Sequence, residues 1–239
     1  MAKSAPMAAL DGHLDAPFDA SLHASPDASL FASLFAAYGE QHWWPAETPF
    51  EVMLGAVLTQ NTAWTNVERA LNQLRAQIPL SPEALLALEE PVLAELIRPS
   101  GYFNVKARRL RSFCSALIEA GGETALSALP TDELRRWLLA INGIGPETAD
   151  DILLYAFERP VFVVDAYTRR LFRRLGLIAG DEDDEQIRQR VETALGPDTA
   201  CFNEYHALIV RHAKEVCRAR KPDCERCLLR PGCQQREGD

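Results

Sequence analysis

The feature that most constrains the fold of this chain is a glycine-bearing turn, Gly143-Ile144-Gly145-Pro146, between two segments with helical spacing of apolar side chains. The start signal Pro130-Thr131-Asp132 precedes the first segment. Two glycines one residue apart allow left-handed backbone and a close approach, and the proline suits the first turn of the second helix. The sequence therefore predicts a helix-hairpin-helix whose backbone N–H groups at residues 143–145 face one phosphate.

A short apolar run, Val161-Phe162-Val163-Val164, leads from this hairpin to Asp165. Residues 166–175 then have the pattern of a helix that carries several arginines. Asp165 is predicted at the N-cap of this helix, which is a common role for aspartate. The helix dipole and the N–H groups also keep such a carboxylate ionised, so that it could stabilise a sugar cation or activate water.

Composition and pattern bound the fold class. The chain has 239 residues, no apolar run of eighteen, and no alternating strand pattern, which predicts an all-α protein of many short helices that does not span a membrane. The N-terminal residues 1–28 lack the features of a signal peptide and are predicted to be a flexible tail. The net charge of −9 lies mostly in residues 1–99, with 4 basic and 12 acidic side chains, so a local basic footprint for nucleic acid remains open.

Four cysteines crowd the C-terminal end, with six, two and five residues between them: Cys217, Cys224, Cys227 and Cys233. A disulfide knot is disfavoured because the rest of the chain resembles a cytosolic protein with its own core. Zinc sites usually use two short Cys-x-x-Cys pairs, and the first gap fits this pattern poorly. The spacing predicts a metal site and leaves zinc open.

Together the hairpin, the apolar run ending in Val-Asp, and the cysteine spacing resemble the helix-hairpin-helix DNA glycosylases of the endonuclease III superfamily. The resemblance covers roughly residues 29–233. It implies an all-α fold of two helical lobes with the active site in the cleft between them, and a [4Fe–4S] cluster on the four cysteines. The expected division is a helical barrel at 48–160 and a cluster lobe formed by 29–47 with 161–239.

In that family the aspartate that matches Asp165 is the catalytic carboxylate, and bifunctional members carry a lysine where this chain has Glu147. A carboxylate cannot form a Schiff base, so strand-cleaving lyase activity is not expected. Glutamate at this position is similar to the 3-methyladenine DNA glycosylase branch, whose aromatic side chains sandwich the damaged base. Paired tryptophans usually pack a terminal segment onto the core, but the same resemblance makes Trp43, Trp44 and Trp64 candidates for the base pocket.

The resemblance also implies contacts with DNA. Gln60, in a polar segment between two apolar helices, matches the glutamine that enters the duplex and fills the space left by a flipped base. Asn61 beside it is a candidate for contact with DNA. Tyr102 lies in the segment 100–107, which resembles the family's wedge loop, and ordinary core contacts are the alternative for it. Lys106 and Arg169 are further candidates for contact with DNA.

We therefore expect a monomeric, cytoplasmic, nucleoid-associated DNA glycosylase that acts on duplex DNA containing a damaged base, monofunctionally and on alkylated purines. The alternative enzyme is an endonuclease III-type glycosylase and lyase for oxidised pyrimidines. A non-catalytic binder of DNA structure and a redox sensor that uses the cluster are alternatives from other classes. A transcription factor is disfavoured because no base-reading recognition helix stands out.

Overall fold

The computed structural model describes residues 25–235 as helices joined by short connections, with no strand in that range. Several helices begin where a hydroxyl side chain accepts a hydrogen bond from the third residue after it and proline follows. Ser25, Thr48 and Ser81 cap three helices in this way. The helices are α1 (Pro26–Tyr38), α2 (Pro49–Leu58), α3 (Trp64–Arg75), α4 (Pro82–Ala87), α5 (Glu90–Leu96), α6 (Phe103–Glu119), α7 (Gly122–Ser127), α8 (Thr131–Ala140), α9 (Pro146–Asp151), α10 (Ala166–Leu175), α11 (Asp184–Leu195) and α12 (Thr199–Glu215).

Short turns of other helical types complete the chain. A π-helical turn, Ile152–Ala156, continues α9, and 3₁₀ turns occupy Arg98–Ser100 and Arg230–Gly232. The predicted all-α fold class is confirmed. Across residues 25–235, none of the helices has the length and apolar character needed to cross a bilayer.

Two hydrophobic clusters organise these helices. The first is formed by α2 to α9 and is closed by Val161, and the second joins α1 to α10, α11 and α12. The run 162–164 is almost fully buried in the second cluster and leads the chain to Asp165. The chain therefore passes from one cluster to the other directly before the candidate catalytic aspartate.

The predicted division of the chain can be placed on these clusters. Residues 1–24 and 236–239, with most of the predicted tail, lie outside the described residues. The predicted tail, residues 1–28, overlaps the start of α1, which begins at Pro26, and Ala28 is fully buried. Trp44, expected in the terminal lobe, packs against the first cluster. The assignment of two domains stays a prediction.

The sequence Thr48-Pro49-Phe50-Glu51 has the pattern of a capping box, and the structure forms only half of it at the start of α2. Thr48 Oγ1 accepts a hydrogen bond from the Glu51 N–H at 3.2 Å, as the pattern predicts. The Glu51 carboxylate, however, accepts from the Glu47 N–H and pairs with Arg75 of α3 instead of bonding to Thr48. A buried carboxylate gains more from a cation than from one N–H group, which explains the difference.

Ion pairs join the helices on either side of the cluster boundary. Arg135 of α8 bonds both oxygens of the buried Asp150, at 2.7 and 3.1 Å, and its Nη1 lies 3.3 Å from Glu185 of α11. Arg188 of α11 in turn contacts Glu185 and Glu192. This network connects α8 and α9 to α11.

Candidate active site

A cleft of about 610 Å³ lies where the two hydrophobic clusters meet. Its walls come from the segment 43–44, the connection between α2 and α3, helix α9, the start of α10, and helix α12. Asp165, Glu147 and the three candidate tryptophans all line it. The structure therefore brings together residues that are up to 122 positions apart in the sequence, and the volume suits a single base.

Asp165 forms the N-cap of α10, as predicted. Its Oδ1 accepts a hydrogen bond from the Thr168 N–H at 2.7 Å, and the residue is 8% exposed. Burial by itself would raise the pKa of Asp165, but the neighbouring His206 and the bonds from Thr168 outweigh it and hold the pKa below its usual range. The carboxylate is therefore ionised at neutral pH.

His206 of α12 is a functional candidate that the sequence analysis missed. Its Nε2 lies 3.5 Å from Asp165 Oδ2, and its Nδ1 shares a 2.6 Å hydrogen bond with the Tyr155 hydroxyl. The first distance is long for a hydrogen bond, so the contact is mainly electrostatic. A lone histidine on an otherwise apolar helix gave no sequence signal, because Asp165 and His206 meet only through the tertiary fold.

Two further carboxyl groups face the same cleft. Burial, and then the charge of Asp165, raise the pKa of Glu147, whose side chain stays accessible from the cleft mouth. Asp151, which lies four residues later on α9, is 4% exposed and was not expected to face the site. Burial and the charges of its carboxylate neighbours raise its pKa well above the usual range.

The three tryptophans form one aromatic cluster on the wall of the cleft. Ring centroids of Trp43, Trp44 and Trp64 lie 5.0 to 5.5 Å apart, with tilted and edge-to-face arrangements. Gly55 of α2 makes room for this cluster, since a Cβ there would lie 3.1 Å from the Trp44 ring. Tyr155 continues the aromatic surface at 5.1 Å from Trp44. The paired tryptophans thus both pack on the core and line the cleft.

One amine lies in the cleft. Lys214 of α12 lines it together with Tyr167, and Lys214 Nζ is 5.6 Å from the Tyr167 ring centroid. Partial burial lowers the pKa of Lys214, and the nearby charge of Asp165 opposes this shift. A lysine with a lowered pKa has a larger share of the nucleophilic neutral amine.

The helix-hairpin-helix is formed by α8, the turn 141–145 and α9. Gly143 has φ of +91°, and a Cβ there would overlap the Arg109 side chain. The Ile144 N–H donates a hydrogen bond to the Ile141 carbonyl at 3.1 Å and is therefore not free for a phosphate, and Ile144 is buried. Gly145 precedes α9 with open space around its Cα. The backbone at Gly143 and Gly145 is therefore the accessible part of the predicted phosphate site.

Gln60, in the connection that follows α2, supports the hairpin. Its amide nitrogen donates to the Gly143 carbonyl at 3.0 Å and to Thr148 Oγ1 at 2.9 Å, and its oxygen accepts from Arg109. In this conformation the amide is held against the turn instead of pointing towards a duplex. Asn61, next to it, has φ of +56°, is exposed and lines the cleft.

Tyr102 stands at the tip of the predicted wedge loop. It adopts a left-handed conformation directly before α6, with φ of +45°, and 70% of its surface is exposed. An exposed tyrosine held at a fixed backbone position is suited to enter a base stack. Core contacts, the alternative given above for Tyr102, do not account for its exposure.

The structure contradicts the predicted contact between Lys106 and DNA. We expected it to contact DNA, but it is 1% exposed, and its Nζ donates to the carbonyls of Leu58 and Ser100 at 2.8 and 2.6 Å. It therefore joins the end of α2 to the loop before α6 and is not available to a phosphate. Arg169, the other basic candidate, is only partly free, because it bonds Asp184 Oδ1 and the Glu182 carbonyl.

The four C-terminal cysteines line one small cavity next to α10 and α12. None of the four forms a disulfide in residues 25–235. Arg174 Nη1 lies 3.2 Å from Cys217 Sγ, and Cys233 Sγ donates to the Arg174 carbonyl. Between residues 25 and 235, no group of three or more His, Cys, Asp or Glu side chains is already arranged as a metal site, so the cluster stays a prediction.

Comparison with known proteins settles the family. The model of the HhH-GPD superfamily of base excision DNA repair proteins matches residues 54–197, from α2 to the end of α11. The chain belongs to this superfamily. The matched range includes the helix-hairpin-helix, Glu147 and Asp165, and this HhH-GPD protein is accordingly a DNA glycosylase of base excision repair.

Curated relatives extend over most of the chain. A Methanocaldococcus jannaschii protein, provisionally named as a DNA repair glycosylase, is 48% identical over 200 residues, which is 82% of this chain and 90% of the relative. Endonuclease III of Haemophilus influenzae is 30% identical over 80% of this chain and 85% of its own length. These relatives bear out the resemblance to endonuclease III.

Solved structures of the superfamily share the fold. The 3-methyladenine DNA glycosylase of Helicobacter pylori, bound to 1,N6-ethenoadenine, has a TM-score of 0.69 and 29% identity, and the alignment covers 78% of this chain and 96% of that one. An endonuclease III trapped covalently on DNA has a TM-score of 0.76 at 23% identity, with 87% of this chain and 94% of that chain covered. The second likeness concerns the fold alone.

Proposed function

We propose that this HhH-GPD protein is a monofunctional glycosylase that releases alkylated purines of the 3-methyladenine type from duplex DNA. The observation that carries the proposal is the cleft in which the ionised Asp165 faces a wall of three tryptophans. Glu147 at the position of the family's nucleophilic lysine supports the monofunctional part. The likeness to a 3-methyladenine DNA glycosylase supports the choice of substrate.

The chemistry needs little from the protein beyond charge and position. When the C1′–N bond breaks, its electron pair leaves with the base, and positive charge develops on the sugar. Asp165 stabilises that cation and takes a proton from the water that forms the new C1′–O bond. A cationic alkylpurine leaves as a neutral base, so no acid has to protonate it. His206, 3.5 Å from the carboxylate, orients Asp165 and supports its ionised form.

The tryptophan cluster provides the selectivity for damaged bases. An electron-poor, positively charged ring stacks more strongly on an indole face than a normal base does. Trp43, Trp44 and Trp64, which line the cleft, offer such faces. A normal purine that enters the cleft therefore gains less binding energy and is returned to the helix.

DNA binding is proposed to use the elements that surround the cleft. The backbone at Gly143 and Gly145 binds a phosphate, while Tyr102 occupies the stack in place of the flipped nucleotide. Gln60 fixes the hairpin from inside and reaches the gap only if its bonds to Gly143 and Thr148 are exchanged. Asn61, which is exposed at the cleft rim, needs no such exchange.

A second candidate function rests on Lys214. This amine lies in the cleft with a lowered pKa, and an amine in that place could attack C1′ and give lyase activity despite Glu147. Such an enzyme would act like the endonuclease III relatives and cleave the strand at oxidised pyrimidines. Lys214 stands on α12 instead of the hairpin, so its approach to the sugar would differ from that of a hairpin lysine.

We also propose that Cys217, Cys224, Cys227 and Cys233 hold a [4Fe–4S] cluster. Four cysteine thiols around one cavity fit the ligand set of such a cluster, although the sulfur atoms would have to close in around it. When bound, the cluster supplies a rigid support for the C-terminal loop, whose exposed cations include Arg218, Arg220 and Lys221. A redox role and zinc are the alternatives.

The deciding experiment uses duplexes that contain 3-methyladenine, thymine glycol or no damage, scored with and without hot alkali. Release of the alkylated base, with strand breaks only after alkali, is the expected result. Nicking at thymine glycol without alkali would support the lyase. Binding of damaged duplexes without release of either base would favour the non-catalytic binder.

Borohydride trapping separates the two enzyme candidates by residue. Wild-type protein should give no covalent complex with the product duplex. If it does, Lys214→Gln should abolish the complex under the lyase alternative, while the matched variant Lys221→Gln, on the exposed loop, should leave it intact.

The metal is tested on the purified protein. Brown colour, visible absorbance of an iron–sulfur cluster and about four irons per chain are expected. Colourless protein with one bound zinc would contradict the cluster. Cys227→Ser should remove the absorbance, whereas Cys114→Ser, at a buried core position, should not.

A further inference from the structure

Asp151 is a buried carboxyl group that the mechanism above does not use. It ends α9, one helical turn after Glu147, so both side chains leave the helix on the same face. The side chain lines the cleft beside Asp165 and His206 and is 4% exposed. Asp151 Oδ1 is buried without a hydrogen-bond partner among residues 25–235.

An unpartnered buried carboxyl oxygen is costly, and folded proteins rarely keep one. The neighbouring Asp150 shows the ordinary solution, since Arg135 bonds both of its oxygens. The two aspartates are adjacent in sequence and equally buried, yet within residues 25–235 only Asp150 has a hydrogen-bond partner for its carboxylate. Because the Asp151 side chain also lines the cleft, a group that enters the cleft can supply the partner that the protein does not.

We propose that Asp151 is a specificity-determining residue, whose carboxyl O–H donates a hydrogen bond to an acceptor atom on the edge of the flipped base. This inference rests on the proposed function, because it takes a base in the cleft for granted. It adds a hydrogen-bonding contact to a pocket that otherwise recognises its ligand by stacking. Asp165 remains the group that acts on the sugar.

The surroundings of Asp151 keep it in the acid form that such a bond requires. Burial, and then the charges of Glu147, Asp165 and Asp150, raise its pKa well above the usual range. The other titratable or charged groups that line or border the cleft are Tyr155, Tyr167, Arg170, His206 and Lys214. Within residues 25–235, none of the cationic candidates among them, Arg170, His206 and Lys214, is hydrogen-bonded to Asp151.

The acid form also indicates which bases fit. A neutral carboxyl presents a donor and an acceptor side by side. Adenine offers the complementary pair, a ring-nitrogen acceptor next to an amino donor, and keeps it when N3 is alkylated. On the edge that carries N7, 3-methyladenine keeps this pair, whereas a 7-alkylguanine has lost the N7 acceptor and offers only O6. We place the contact with Asp151 on this edge, so Asp151 should favour alkyladenines over 7-alkylguanines.

Single-turnover release of 3-methyladenine and 7-methylguanine by wild type, Asp151→Asn and Asp151→Ala tests this role. Asp151→Ala should lower the rate for 3-methyladenine about tenfold, the effect of one hydrogen bond, and change that for 7-methylguanine little. Asp151→Asn, which keeps a donor and an acceptor, should retain most of the rate. Wild type should lose activity as rising pH ionises Asp151, and the asparagine variant should not.

Binding to a duplex with an abasic-site analogue provides the control, because no base is present for Asp151 to contact. All three proteins should bind it equally, which would exclude damage to the fold. If Asp151→Ala lost the same rate on both bases, or were as active and selective as wild type, the proposed role of Asp151 would be wrong while the proposed function would stand. A wild-type protein that releases neither alkylated base would instead overturn the proposed function.

Discussion

At the scale of single residues, Asp165 combines a structural and a chemical role, and one substitution separates them. Asparagine caps helices as well as aspartate does, so Asp165→Asn should leave the melting temperature close to wild type. It cannot stabilise a sugar cation with a full charge, so base release should fall by about 100-fold or more. Single-turnover release and thermal melting measure the two effects.

The pH dependence of Asp165 has a defined sign. Its folded pKa lies below the ordinary value of 3.8, so the carboxylate stays ionised down to lower pH than in the unfolded chain. The stability that it contributes is present above the unfolded pKa and is lost as the pH falls through the folded pKa. Base release should therefore not lose activity through Asp165 between pH 7 and pH 5. If Asp165 served only as a helix cap, the Asp165→Asn variant would release the base as fast as wild type.

Lys106 gives a second prediction at this scale. Lys106→Met removes two hydrogen bonds to buried carbonyls and should lower the free energy of unfolding by about 1–3 kcal/mol. Because Lys106 Nζ is buried, the salt dependence of DNA binding should not change. Arg108→Met, which removes an exposed charge from the same helix, is the matched control for stability. If DNA binding by Lys106→Met depended less on salt than binding by wild type, the contact between Lys106 and DNA that the sequence predicted would be supported.

At the scale of elements, the hairpin turn contains two glycines with different requirements. Gly143 has a left-handed φ, and a Cβ there would overlap Arg109, so Gly143→Ala should cost about 1–3 kcal/mol of stability. Gly145 has an ordinary φ of −93° and open space around it, so Gly145→Ala should be stable. If a phosphate approaches this turn closely, Gly145→Ala should still weaken binding to duplex DNA. Chemical denaturation and DNA titration at fixed salt would measure both effects, and full affinity in Gly145→Ala would place the phosphate elsewhere.

Elements were also the level at which the sequence predicted the structure best. Helix α10 has the predicted bounds. Helices α2 and α4 begin where a hydroxyl residue precedes proline in the sequence, Thr48-Pro49 and Ser81-Pro82, because capping chemistry is local. The errors at Glu51 and Lys106 share one cause. Both are charged side chains whose partners, Arg75 and the Leu58 carbonyl, are supplied by another helix. Residue type and position alone do not indicate such partners.

The candidate site was predictable to the extent that its residues belong to a motif. Glu147, Asp165 and the tryptophans were recognised from family motifs and reach one cleft. His206, Asp151 and Lys214 were not, because each lies in an ordinary helical pattern and acquires its significance only from the groups facing it. The sequence thus indicated the charged group that acts on the sugar and missed those that surround it.

At the scale of the whole molecule, the cleft exists because two hydrophobic clusters meet without merging. Arg135 ties the two clusters together by charge. It neutralises the buried Asp150 beneath the hairpin and reaches Glu185 on α11. The relative position of Glu147 and Asp165, which come from opposite sides of that boundary, depends on such connections.

Arg135→Met should therefore affect both stability and catalysis. Asp150 would be left buried without its cation, which costs about 3–5 kcal/mol of unfolding free energy. Burial already raises the pKa of Asp150, with Arg135 opposing the shift, so loss of Arg135 should raise it further. The folded variant then binds the proton more tightly than the unfolded chain, and its deficit should shrink as the pH falls from 7 to 5. Denaturation at both pH values measures this, with the exposed neighbour Arg136→Met as control.

The double variant Arg135→Met with Asp150→Leu should recover much of the stability, because no charge stays buried, yet it still lacks the bridge to Glu185. Full recovery of base release in that variant would show that the bridge between α8 and α11 does not position the catalytic carboxylates.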